Sequence, residues 1–60
     1  MDIKRIVKHI IKSYTVEDVI RHKSAVQWWT EDWAMQNGAE NADALVSRAI
    51  DIVIRQMIPA

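Results

Sequence analysis

Two histidines, His9 and His22, are the side chains of this sequence that change charge near neutral pH, so acid–base chemistry would begin with them. Ser13 follows His9 by four residues, and Asp18 precedes His22 by four. On a helix these spacings bring each pair to one face, as a hydroxyl with a base or a base with an orienting carboxylate. Nucleophilic catalysis needs all three groups together, and neither pair brings its third member. Ordinary helices carry such pairs in abundance, so solvated surface histidines are expected. Asp18 and His22 supply two metal ligands without a companion pair, whereas zinc sites take three or four. The absence of cysteine excludes disulfides and thiolate metal sites. A chain of 60 residues also has difficulty enclosing a cavity on the ~300 Å³ scale of ligand sites. The expectation is of no enzyme, no cofactor and no metal.

The tryptophans carry more information. In the segment Ala25–Gln36, successive side chains diverge by about 100° on a helix, so Val26, Trp29 and Trp33 fall within an arc of roughly 60°. That face is expected to anchor a core. Trp28 points elsewhere, on the side of Met35, and is flanked by Glu31 and Asp32. Tryptophan is enriched at interaction hot spots and methionine adapts to irregular partners. Trp28, Met35, Glu31 and Asp32 are therefore the candidate protein-binding residues, an aromatic centre with an acidic rim suited to a basic partner, such as the first helix of a second copy; the alternative is that Trp28 packs against the first or last helix.

The elements that position these groups are helical throughout. Ile3, Ile6, Val7, Ile10, Ile11 and Tyr14 follow the i, i+3, i+4, i+7 pattern of an amphipathic helix over about 2–14. Lys4, Arg5, Lys8 and Lys12 take the opposite side, with His9 at the rim. Thr15 is a good N-cap for a short helix over 16–22, with Glu17 and Asp18 favoured by the helix dipole in its first turn. Ser24 and Gln27 are spaced as a capping box for a third helix, about 25–36, which Asn37-Gly38 would close. Asn41 is expected to cap a last helix over 42–58, ended by Pro59. Its apolar residues cover roughly 240° of its circumference, which requires burial on more than one side. Either this helix lies at the centre of a bundle or it meets a second copy of the chain.

Sixty residues make one domain, 1–60, with a thin margin of stability, and small domains depend on dense packing or association. Eight basic residues balance eight acidic ones, so global charge points to neither nucleic acid nor an anionic membrane. The charge is segregated along the chain. Residues 1–14 hold four cations against Asp2, and residues 24–43 hold Glu31, Asp32, Glu40 and Asp43 with no Lys or Arg. No run reaches the ~18 apolar residues of a membrane span, and the N-terminus lacks a signal peptide, so a soluble cytoplasmic protein is expected. Thr15–Asn37 has the outline of a helix-turn-helix. Its second helix, however, carries Glu31 and Asp32 and no cation, which phosphates would repel.

These features converge on association. The expected architecture is all-α, a compact three- or four-helix bundle that pairs as a homodimer through Ile50, Ile54, Met57 and Ile58. The expected function is a non-catalytic protein-binding or regulatory module acting through the tryptophan/acidic surface. Its size matches that of accessory regulators carried by phages and mobile elements. The alternative is a DNA-associated transcriptional regulator that uses the basic face of the first helix, Lys4, Arg5, Lys8 and Lys12.

Overall fold

The computed structural model describes residues 1–57, and the side chains of residues 1–56. Four helices follow one another: α1 (Ile3–Ser13), α2 (Val16–Arg21), α3 (Lys23–Gln36) and α4 (Ala42–Met57). The all-α expectation holds, and no strand occurs among the described residues. Ile58 and Pro59, placed at the end of the last helix by the sequence, lie outside the described residues.

Local chemistry accounts for the boundaries. The Asp2 carboxylate accepts from the Arg5 backbone N–H at 3.0 Å and opens α1. The Thr15 hydroxyl accepts from the Asp18 N–H at 3.1 Å and opens α2, as its spacing predicts. Each such cap satisfies one of the orphan N–H groups at a helix start. The third helix corrects the sequence reading. It begins at Lys23, and Ser24 lies inside the first turn instead of capping it. His22, at φ −123° and ψ 41°, leaves helical geometry, so a single residue joins α2 to α3. Its N–H still reaches the Asp18 carbonyl, and its carbonyl still receives the Val26 N–H, so the break leaves both backbone groups bonded. Gly38 closes α3 at φ +90°, a left-handed conformation that glycine adopts without Cβ strain. The Ala39 N–H reaches the Ala34 carbonyl at 3.0 Å and the Gly38 N–H reaches Met35 at 3.1 Å, which is the Schellman arrangement. At the start of α4 the Asn41 carbonyl accepts the Leu45 N–H at 2.9 Å, which puts Asn41 in the N-cap position.

Helix α4 is the central element, packed mainly against α1 and α3 and also against α2. The central position, one of the two solutions open to its broad apolar face, is thus observed. Ala42, Val46, Ala49, Ile50 and Val53 are buried on it, and they meet Ile6 and Ile10 of α1, Val19 of α2, and Val26 and Ala34 of α3. This core is aliphatic and built from small and medium side chains. The radius of gyration is 10.5 Å, against about 10.4 Å expected for a folded chain of this length, so the helices close into one compact body.

The aromatic residues are outside that core. Val26, Thr30 and Ala34 form the buried ridge of α3, which turns the helix by roughly 65° from the Val26–Trp29–Trp33 face read from the sequence. The reason is size. Small side chains on both helices let α3 and α4 approach closely, whereas two indoles at the contact would hold them apart. Trp29 is consequently 52% exposed, lying parallel to Tyr14 with ring centroids 6.4 Å apart, and is not a core anchor. Of the three tryptophans only Trp33, half-buried, packs against the core, as Tyr14 also does.

Candidate protein-docking surfaces

The outer face of α3 is set by the ridge it buries. Trp28 and Met35 lie 140–160° round the helix from Thr30 at about 100° per residue, and so point away from α4. Trp28 is 69% exposed and Met35 58%. The two are seven residues apart on one face, about 10 Å along the axis. Glu31 and Asp32 occupy the turn between them, Glu31 half-buried and Asp32 exposed. The Gln36 amide donates to the Asp32 carboxylate at 2.9 Å, and neither acid has a basic partner among the described residues. The four residues singled out from the sequence therefore form one surface, an apolar pair with two uncompensated carboxylates between. Trp29, which the sequence reading assigned to the core, borders it.

His22 is exposed, as expected, whereas His9 is placed otherwise. The His9 ring stacks on Trp33 with centroids 3.7 Å apart and planes 6° from parallel, so it is a packed residue joining α1 to α3. Burial in that contact pushes its pKa below the ordinary value, and the nearby Lys12 charge adds to the effect. Among the described residues no side-chain hydrogen bond links Ser13 to His9 or Asp18 to His22. Glu17 instead pairs with Arg21 at 2.8 Å on the exposed side of α2. No group of three or more potential ligands is arranged for a metal among the described residues.

A second surface escaped the sequence reading. Ile3 and Val7 of α1 and Ile52 of α4 floor an open groove of about 430 Å³, edged by Lys4, Lys8 and Gln56. Its volume exceeds what a chain of this size was expected to shape, because the groove lies between two helices and needs no enclosing wall. The polar groups at its edge are two flexible ammonium stems and one amide, without the converging polar set of a small-molecule site. The signal was present in the sequence. Ile3, Val7 and Ile11 form an i, i+4, i+8 row beside Lys4, Lys8 and Lys12, but no periodicity says which apolar row a neighbouring helix will leave uncovered.

The expected dimer surface is changed most. Ile50 is wholly buried within the chain's own core and is not available to a second copy, because α1, α2 and α3 already cover that face of α4. Ile54 is half-buried against the same core. The Met57 side chain and Ile58 lie outside the described residues. The cations considered for nucleic acid, Lys4, Arg5, Lys8 and Lys12, are all exposed on α1. The helix-turn-helix outline is not realised, since that motif needs a turn of three or four residues and α2 meets α3 at one. No helix among the described residues is long and apolar enough to cross a membrane. Comparison with known protein families, curated proteins and solved structures found no match to this chain.

Proposed function

We propose that this chain is a non-catalytic protein-binding module whose docking surface is the outer face of α3, centred on Trp28 and Met35. The observation that carries the reading is the exposure of these two side chains together on one helical face, with the unpaired carboxylates of Glu31 and Asp32 between them. A single exposed apolar residue needs no explanation, but an indole and a thioether aligned on a rigid helix are the anchors that protein interfaces use. The acidic residues set the partner's character. A surface with Lys or Arg around an apolar recess would neutralise them and be steered toward them. The twofold contact through α4 is not part of this reading, since Ile50 belongs to the interior.

The reading is tested by placing a photo-crosslinking amino acid at Gln36, beside the face, or at Ser47, exposed on α4, in cells of the source organism. Crosslinks from position 36 that are absent from position 47 and lost on Trp28→Ala are expected. Equal crosslinking at both positions, or crosslinking indifferent to Trp28→Ala, overturns the proposal.

A further inference from the structure

We infer that the groove between α1 and α4 receives the Trp28–Met35 face of α3 from a second copy of this chain, so that copies associate head to tail. The inference rests on the reading of that face as a docking surface, and names the partner. The two surfaces are chemical complements. One presents apolar anchors with Glu31 and Asp32 between them, and the other an apolar floor of Ile3, Val7 and Ile52 edged by Lys4 and Lys8. None of these four charges is paired within the chain among the described residues, so docking would supply each side with the counter-charges it lacks. The groove is open and about 430 Å³ in volume, which admits bulky side chains presented by a helix, as in helix-in-groove recognition.

Placement decides the symmetry. On α1, His9 touches Trp33 of α3, while Lys8 and Lys4, which edge the groove, lie about 100° and 140° round the helix from it. On α4, Asp51 reaches Lys23 of α3 at 3.8 Å, while Ile52 and Gln56 lie about 100° and 140° from Asp51. The α1/α4 pair therefore has α3 on one side and the groove on another, and the Trp28 face points outward from α3. A protomer seated in its neighbour's groove keeps its own groove free. Such a contact is heterologous and joins more than two chains, as a ring or a filament, unlike a twofold contact.

The test uses two doubly substituted chains, each checked for retained helicity by circular dichroism. Trp28→Ala/Met35→Ala removes the face and leaves the groove, and Lys4→Glu/Lys8→Glu reverses the groove's charge and leaves the face. Sedimentation equilibrium up to about 1 mM suits an interface at the small, transient end of the range. The unsubstituted chain should show a mean mass that rises with concentration past two chains. Each variant alone should associate at least tenfold more weakly. An equimolar mixture should form a discrete one-to-one pair, since it holds a single intact junction. An unsubstituted chain that stays monomeric, a mass that levels off at two chains, variants that still associate, or a mixture without the pair overturns the inference. If that happens while Trp28-dependent crosslinks to another protein persist, only the self-association fails; if those crosslinks are also absent, the docking role of the face fails with it.

Discussion

The imidazole of His9 lies flat on the indole of Trp33, 3.7 Å between centroids, and this contact joins the polar rim of α1 to the one tryptophan that packs on the core. It takes an ionisable ring partly out of water, and burial opposes its protonation. Coupling between charge and packing at this position follows.

His9 should titrate below the ordinary histidine value of 6.5, with burial the main cause and Lys12 the second. Folding should therefore be strongest above pH 6.5, where His9 is neutral in both states. Below 6.5 the unfolded chain takes up the proton first, and stability falls until the pH lies under the folded value. A two-dimensional NMR titration following the His9 ring checks this. Lys12→Ala should raise the value in part and Trp33→Ala should raise it further. A His9 titration at or above 6.5 in the native chain would contradict burial as the governing cause.

Thr30 is the buried polar side chain on the core ridge of α3, and its hydroxyl has no hydrogen-bond partner. An unpaired buried hydroxyl costs about 1–3 kcal/mol. Thr30→Val keeps the shape, replaces the hydroxyl by a methyl group and should raise unfolding stability by about 1 kcal/mol in urea titration. A loss of comparable size would mean that the hydroxyl is bonded in solution.

Gly38 stands at φ +90° with open space where a Cβ would go, so only backbone strain opposes a side chain there. Gly38→Ala should cost about 1 kcal/mol. Gly38→Asn should cost less, because asparagine tolerates the left-handed region. Equal costs for both would point to a clash instead of a dihedral preference.

Trp28 and Ile50 make a paired comparison of surface and core. Ile50→Ala removes a wholly buried side chain from the centre of α4 and should cost about 2–5 kcal/mol. Trp28→Ala removes a larger group and should change stability by less than about 0.5 kcal/mol, as an exposed position does. Chemical denaturation of both variants at one protein concentration decides it. A Trp28→Ala loss near that of Ile50→Ala would put the indole in the packing and end its candidacy as a docking anchor.

Helix type and most boundaries were legible in the sequence because they depend on neighbours along the chain, whereas the number, three or four, was left open. The Thr15 cap, the Asn37-Gly38 stop and the 3.6-residue period each act within a turn or two. The Trp28, Met35, Glu31 and Asp32 surface was legible for the same reason, since i, i+3, i+4 and i+7 neighbours share a face wherever the helix goes. What the tertiary structure alone decided was rotation about each axis and which apolar rows were covered. Trp29 left the core and Thr30 entered it because α4 offers Ala42, Val46 and Ala49, and close approach of small side chains outweighed burial of an indole. Ile50 turned inward for the complementary reason, because a central α4 finds α1, α2 and α3 around it and needs no second copy on that face. The Ile3–Val7–Ile52 groove exists only because α1 and α4 cross as they do, and close packing is satisfied between particular surfaces, of which a linear pattern specifies just one side.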